Sequence, residues 1–155
     1  MLRFSVIYKL LDLAAIRHLM NTTSTERIIL FDGICNLCNR AVQTVIRQDP
    51  EAKFSFASLQ GSTGQILLKR YKLDNLQLNS FVLIKSGKAY TKSTAALQVA
   101  GELKGIIRLL KIFIIVPPFI RNGIYTLIAR NRYRWFGKRA ECMVPDPSIQ
   151  KRFLP

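Results

Sequence analysis

Histidine and cysteine are scarce in this sequence, whose 155 residues include one histidine and three cysteines. So few cysteines, in an odd number, do not suit a small secreted domain held together by disulfides. Acidic residues are also few, with 9 Asp and Glu against 24 Lys and Arg, which gives a formal net charge of +15. This imbalance excludes no fold, but it favours anionic partners such as lipid surfaces, acidic proteins or nucleic acid.

Long uninterrupted apolar segments are absent as well. The longest apolar run, residues 106–120, contains two basic residues and a Pro-Pro pair, so it is too short and too interrupted for a membrane span. Residues 1–20 carry both basic and acidic side chains and lack the uncharged stretch of a secretory signal. We therefore expect a cytoplasmic protein, one that can also be peripheral to a membrane. In that compartment a C-x-x-C pair is typical of redox or metal chemistry.

What is present is the pattern of a single α/β domain. Short apolar or alternating runs predict strands, and apolar residues at helical spacing predict helices. The predicted order is strand 28–31, helix 36–47, strand 53–58, helix 62–73, a hairpin of strands 80–84 and 88–92, and helices 94–103, 104–115 and 118–131. This is the element order of the thioredoxin-like fold, a small central mixed sheet flanked by helices, here with additional C-terminal helices. We expect Ser93 to cap the helix after the hairpin, and the proline-containing tail, residues 142–155, to lie extended on the surface.

Two of the three cysteines stand together in the stretch "LFDGICNLC", at the predicted junction of a buried strand and a helix. At the amino end of a helix, unpaired backbone N–H groups and the aligned peptide dipoles stabilise negative charge. Cys35 lies at that end, so the sequence predicts a reactive thiolate there. Cys38 follows one helical turn later, where it can attack a mixed disulfide formed on Cys35. We therefore predict that Cys35 is the nucleophile and Cys38 the resolving thiol.

Other interpretations of this stretch remain open. The pair can be half of a zinc site, for which His18 and Cys142 are the only further sulfur or imidazole ligands. "LFDG" is also typical of phosphatases with an aspartate nucleophile, but Ile34 stands where their second aspartate is expected. Alternatively, the cysteines are inert apolar residues. Asp32 either relays protons to the pair or caps the turn that follows it.

Four segments carry a resemblance to a known family. "LFDGICNLCNRAV", "FSFASLQ", "SFVLIKSGKAYTKSTAAL" and "IYTLIARNRYRWFGKRAEC" resemble, in order and spacing, the DCC family of thiol-disulfide oxidoreductases. The resemblance covers residues 27–145 and leaves residues 1–26 as an extension and 146–155 as a tail. It implies a thioredoxin-like domain whose Asp32, Cys35 and Cys38 form the catalytic site, acting on protein or low-molecular-weight thiols and disulfides. No bound cofactor or metal is implied, because the dithiol itself carries the electrons.

The C-terminal half of the chain is strongly basic. Residues 104–139 contain nine Lys or Arg and no Asp or Glu, with Tyr133, Trp135 and Phe136 among the last of them. Such a segment is a solvated face, or it binds an anionic membrane surface or an acidic partner; nucleic acid is the least expected partner. The alternative function is therefore a basic binding module for an anionic membrane surface or nucleic acid, with structural cysteines. We also hypothesise that Arg132 or Arg134 lies near Cys35 and favours its thiolate.

Overall fold

The computed structural model of the protein describes residues 27–73, 80–140 and 146–155. Strand β1, Arg27–Phe31, is the central strand, and its last four side chains are all buried. Helices cover both faces of the sheet at this strand, so the strand is apolar throughout instead of alternating with polar residues. His18 and Cys142 lie outside the described residues.

The elements follow the predicted order, with one strand added at the end. They are β1, helix α1 (Asn36–Gln48), strand β2 (Phe54–Ser58), helix α2 (Ser62–Arg70), strands β3 (Val82–Lys85) and β4 (Lys88–Thr91), helix α3 (Lys92–Ala100), a 3-10 helix (Ile106–Ile115), helix α4 (Pro118–Phe136), a 3-10 turn (Gln150–Arg152) and strand β5 (Phe153–Leu154). In the part of the chain that the structure describes, none of the helices has the length and apolar character needed to cross a bilayer.

The sheet is mixed, with the strand order β4-β3-β1-β2-β5. Strand β1 pairs in parallel with β2, through the crossover helix α1, and antiparallel with β3, while β3 and β4 form an antiparallel hairpin. The hairpin turns at Ser86 and Gly87, both with positive φ (49° and 72°), as a two-residue turn of this kind requires. This topology confirms the predicted thioredoxin-like architecture.

Successive residues of β1 point to opposite faces of the sheet and so enter two separate cores. Ile29 and Phe31 face α1 and α3, where they pack in one cluster with Val42 and Val99. Ile28 and Leu30 face α2 in the second cluster, which also contains Leu67, Leu68, Val82 and Ile84. The two cores hold the carboxyl end of β1, and the residues that follow it, in a fixed position.

Three details differ from the prediction. Ser93 does not cap α3, because the helix begins at Lys92 after Thr91, and the Ser93 hydroxyl instead donates to the Asn122 side chain. Residues 106–115 form a 3-10 helix in place of an α-helix. The tail does not end as an extended surface segment, since Phe153–Leu154 pairs in parallel with β2. The aromatic ring of Phe153 packs against the first core, which is why the chain returns to the sheet.

Candidate functional site

The cysteine pair lies where β1 passes into α1. Cys35 is the N-cap residue of α1, with extended backbone angles (φ −82°, ψ 120°), and its sulfur accepts the backbone N–H of Cys38 at 3.5 Å. The Cys35 carbonyl accepts the N–H of Asn39 at 2.9 Å, which is the first turn of the helix. The Cys35 sulfur therefore takes the place of a capping oxygen at the positive end of the helix dipole. Both thiols are free.

The C-terminal end of α4 covers the first cysteine. Cys35 is fully buried, and its backbone forms an isolated antiparallel bridge with Lys138. Beside this bridge, the N–H of Arg139 donates to the Ile34 carbonyl at 2.8 Å. The segment 137–139, which we call the cover, thus lies directly on the cysteine that was predicted to attack the substrate.

Asn36 and Gly137 hold the cover in place. The Asn36 amide donates to the Phe136 carbonyl at 2.9 Å, and the Asn36 backbone N–H makes a longer bond, 3.4 Å, to the Gly137 carbonyl. Gly137 has a φ of +75°, a conformation that glycine adopts without strain, and this lets the chain leave α4 and turn back over the cysteine. The cover is therefore attached by a few hydrogen bonds at the protein surface.

Cys38 differs from Cys35 in both exposure and protonation. Its side chain is only partly buried. Burial, followed by a hydrogen bond and charge interaction with Cys35, raises the pKa of Cys38 to about 12, and the nearby Arg132 charge opposes this rise. Cys38 is thus a protonated thiol at neutral pH, while Cys35 occupies the position that stabilises negative charge.

The Asp32 carboxylate lies directly after β1, where it is almost completely buried and accepts several hydrogen bonds. Its Oδ1 accepts the backbone N–H of Ile34 at 3.2 Å, which is the turn-capping contact considered for it from the sequence, and the Gln60 amide at 2.9 Å. Its Oδ2 accepts from the Arg132 guanidinium and from the Tyr133 hydroxyl. The carboxylate thereby joins the cysteine turn to the loop after β2 and to the C-terminal end of α4.

Of the two arginines predicted to lie near the pair, the structure brings only Arg132 to the site. Arg132 is 3% exposed and forms a buried ion pair with Asp32, whereas Arg134 is exposed. The Arg132 guanidinium also lies over the Tyr133 ring, 4.7 Å from its centroid, and the Lys138 amine approaches the same ring at 5.9 Å. Burial and the bond to Asp32 raise the pKa of Tyr133, so its hydroxyl remains a donor.

An apolar slot of about 370 Å³ opens beside Cys38. Its walls come from α1, α3, the 3-10 helix, α4 and the residue before β3. The lining residues include Leu37, Cys38, Ala41, Phe81, Val99, Leu103, Ile107, Leu110 and Tyr125. The Tyr125 hydroxyl accepts the backbone N–H of Phe81 at 2.8 Å, and burial raises the pKa of Tyr125. Cys38 is therefore the thiol that an apolar group can approach from this side.

Gln60 and Tyr125 were missed in the sequence, and Tyr133 was noted there only as one aromatic residue among basic ones. For Gln60 a signal existed, since it follows the end of β2. Parallel strands such as β1 and β2 end at the same edge of a sheet, so polar residues after each end are expected to meet. Tyr125 carries no such signal, because its contact with Phe81 depends on how α4 packs across the domain.

Comparison with known proteins shows that the residues of this site lie within the part of the chain that matches a protein family. The sequence model of the DCC1-like thiol-disulfide oxidoreductase family matches residues 29–138. The chain is 55% identical over 130 residues to an uncharacterised protein of Bacillus subtilis (strain 168), YuxK, which covers 84% of this chain and 95% of that protein. It is 35% identical over 116 residues to a chloroplastic DCC family protein of Arabidopsis thaliana. This match covers 74% of this chain and 67% of the plant protein. No solved structure matches the chain.

Proposed function

The chain belongs to the DCC1-like thiol-disulfide oxidoreductase family, and from this premise we propose that it exchanges disulfides, with Cys35 as nucleophile and Cys38 as resolving thiol. The observation that carries the proposal is the unequal environment of the two thiols. Cys35 lies at the amino end of α1 and accepts a backbone N–H, whereas the raised pKa of Cys38, about 12, keeps that thiol protonated. A thiolate attacks disulfides and a thiol does not, so attack begins at Cys35.

The proposed reaction has two exchange steps. The Cys35 thiolate attacks one sulfur of the substrate disulfide, the substrate S–S bond breaks, and the departing substrate sulfur leaves as a thiolate. Cys38 then loses its proton to that thiolate and attacks Cys35 Sγ, which releases the second substrate sulfur. The substrate disulfide gains two electrons and the pair becomes a disulfide; the reverse sequence oxidises a substrate dithiol. Converting Cys35 to a mixed disulfide removes its negative charge, one of the causes that raise the Cys38 pKa, so the second step becomes easier.

In this proposal Asp32 supports the pair through the turn and through its charge. Its negative charge raises the pKa of Cys38 and the charge of Arg132 lowers it, and both effects are smaller than those of burial and of Cys35. The carboxylate also fixes the turn between β1 and Cys35 by accepting the Ile34 N–H. We assign Asp32 to the site in this positioning role.

The proposed substrates are protein or low-molecular-weight thiols and disulfides. The apolar slot beside Cys38 favours a substrate with an apolar group next to the reacting sulfur, because its lining offers few polar partners. We propose a cytoplasmic location, although the name of the plant relative places that protein in the chloroplast. The dithiol carries the electrons, and the proposal therefore requires no bound cofactor.

The experiment that tests the proposal measures the redox equilibrium of the pair. The full chain is equilibrated in graded thiol-disulfide buffers, free thiols are alkylated, and each cysteine is mapped by mass spectrometry. We expect a reversible Cys35–Cys38 disulfide with a potential of roughly −120 to −270 mV, the range of known oxidoreductases. Cys142→Ser is the matched control and should keep this transition, whereas Cys35→Ser and Cys38→Ser should each abolish it. Absence of the disulfide across the series would rule out the proposed chemistry.

A second candidate function is that of a basic binding module for an anionic membrane surface or an acidic partner. The observation that favours it is the charge of residues 104–139, which include nine basic and no acidic side chains. Binding that weakens with salt and is unchanged in Cys35→Ser would support this function. Loss of activity in the same variant would support the oxidoreductase.

A further inference from the structure

The 3-10 helix Ile106–Ile115 carries a row of apolar side chains that face solvent. None of its ten residues is buried. Because a 3-10 helix has three residues per turn, every third side chain lies on the same side. One such row consists of Ile106, Leu109, Ile112 and Ile115, whose exposed fractions lie between 66% and 80%. Four large aliphatic side chains thus form a continuous apolar edge with no partner among the described residues.

Helix α4, which follows the 3-10 helix directly in the chain, also exposes apolar side chains. Its exposed large side chains in the first three turns are all apolar, namely Phe119, Ile120, Ile124, Leu127 and Ile128. Positions 120, 124 and 127 follow helical spacing and therefore share one face, the reverse of the usual arrangement in which the outer face is polar. Both α4 and the 3-10 helix contact α3, but these apolar side chains are not part of that packing and remain exposed to solvent.

The charged residues that the 3-10 helix and α4 themselves carry are all basic. Arg108 and Lys111 form the neighbouring row of the 3-10 helix, and both are exposed. No acidic residue occurs between positions 104 and 139. A helix with exposed aliphatic and aromatic residues on one side and cations beside them is typical of segments that lie in the interface of an anionic bilayer. An acidic protein partner would account for the cations but leave the large aliphatic area without a matching surface.

We propose that the apolar side of the 3-10 helix and of the first half of α4, which we call the docking face, binds an anionic lipid surface. The aliphatic side chains of residues 106, 109, 112 and 115 enter the boundary between headgroups and acyl chains, and Arg108 and Lys111 contact lipid phosphates. This inference narrows the second candidate function to one partner. It does not depend on thiol chemistry, because none of these residues contacts the cysteine pair.

Docking in this orientation brings the redox site close to the membrane. Ile107 and Leu110 belong to the same 3-10 helix as the docking face, and both line the slot beside Cys38. The slot therefore lies about one helix diameter, roughly 10 Å, from the proposed lipid surface. A substrate with an apolar group would enter the slot beside Cys38 from the lipid side, and in the proposed reaction Cys35 would attack its disulfide once the cover opens.

Flotation of the reduced full chain with lipid vesicles tests the proposal. One set of vesicles is phosphatidylcholine alone, and the other contains about one third phosphatidylglycerol, so that the second carries the surface charge of an anionic membrane. We expect binding to the anionic vesicles, little binding to the neutral ones, and loss of most binding at about 0.5 M salt, where charges are strongly screened. The double variant Cys35→Ser/Cys38→Ser should bind as the unmodified chain does, which separates this result from the redox proposal.

Two matched substitutions locate the binding surface. Leu109→Glu/Ile112→Glu places charge in the exposed row and should weaken vesicle binding by roughly tenfold or more. Ile66→Glu is the control, since Ile66 is also an exposed apolar residue (38%) but lies on α2, on the other face of the sheet. Circular dichroism spectra of both variants should match that of the unmodified chain, which checks that they are folded.

Three results would overturn the proposal: equal binding to neutral and anionic vesicles, equal loss of binding in the two variants, and no binding at all. In the last case, sedimentation velocity identifies the occupant that replaces lipid. A dimer that Leu109→Glu/Ile112→Glu dissociates would show that the docking face pairs with a second copy of the chain.

Discussion

Lys138 pairs with Cys35 through an isolated antiparallel bridge, and this contact closes the end of α4 over the first thiol of the pair. A nucleophilic thiol must be deprotonated and accessible to the substrate, and neither cysteine meets both conditions in this conformation. Cys35 lies at the amino end of α1 but is fully buried, whereas Cys38 lines the apolar slot but is protonated at neutral pH. The proposed exchange therefore requires the cover, residues 137–139, to move away from Cys35, a local opening that few hydrogen bonds oppose.

Asn36→Ala should make Cys35 easier to reach. The substitution removes the 2.9 Å hydrogen bond from the Asn36 amide to the Phe136 carbonyl, one of the bonds that hold the cover. A hydrogen bond of this kind contributes about 0.5–1.5 kcal/mol, so the open population, and with it the alkylation rate of Cys35, should rise by roughly two- to tenfold. The rate is measured site by site, by mass spectrometry after timed exposure to iodoacetamide.

Asn131→Ala is the control for this experiment. It removes a similar bond, from the Asn131 amide to the Leu127 carbonyl at 2.8 Å, within α4 and away from the cover. Cys35 alkylation should stay at its original rate in this variant. Equal rates in Asn36→Ala and Asn131→Ala would show that access to Cys35 does not depend on the cover.

The ion pair of Asp32 and Arg132 should be essential for stability because both side chains are almost completely buried. Asp32→Asn or Arg132→Met leaves a buried charge without its counter-charge, and each should lower the free energy of unfolding by about 3–5 kcal/mol. The double variant should lose less than the sum of the two, since neither charge is then left behind. Urea unfolding measures all three values. Arg134→Met, at an exposed position two residues away, should change stability by less than about 0.5 kcal/mol.

The stability of the reduced protein should fall at alkaline pH because of Cys38. Its pKa is raised from 9.0 to about 12 in the folded chain, so between these values the unfolded chain has released a proton that the folded chain still holds. The folded state therefore keeps its full stability below pH 9 and loses it as the pH rises toward 12, by up to about 1.4 kcal/mol per pH unit.

Urea unfolding at pH 8 and pH 10.5, in the presence of a reductant, isolates this contribution by comparison with Cys38→Ala. Lysines and tyrosines also titrate in this range, but they do so in both proteins. The stability advantage of the unmodified chain over the variant should shrink by about 2 kcal/mol between the two pH values. An unchanged difference would mean that Cys38 titrates in the folded chain as it does in the unfolded one.

The part of the site that could be predicted from the sequence is the part built from neighbouring residues. Four apolar residues in a row, then Asp-Gly, then helical spacing predict β1, the turn and α1, and so place Cys35 at the helix start. The hairpin of β3 and β4 was predictable for the same reason, because its turn residues are adjacent. Local chemistry determines such elements, and no distant contact is needed to find them.

The remainder of the site depends on contacts between distant residues. Asp32 meets Arg132 and Tyr133 only because α4 packs against the amino end of α1, a separation of about one hundred residues in the chain. The basic run suggested that an arginine approaches the pair, but spacing alone could not distinguish buried Arg132 from exposed Arg134. The burial of Cys35 entered the sequence analysis only through the alternative of inert cysteines, because the cover is formed by a loop whose path follows from the end of α4.

Phe153 provides the test of whether the last residues belong to the domain. Its ring, on strand β5, stacks on Phe56 at a centroid distance of 5.2 Å and meets Phe31 edge-on at 6.2 Å. Phe153→Ala removes this packing from a half-buried position and should lower the free energy of unfolding by about 2–3 kcal/mol, somewhat less than for a fully buried phenylalanine. Lys151→Ala, at an exposed position in the same segment, is the control and should be near neutral. Urea unfolding decides between the two possibilities: if both variants are equally stable, residues 146–155 are a separate tail, as the sequence suggested, and the contacts of β5 contribute nothing to the domain.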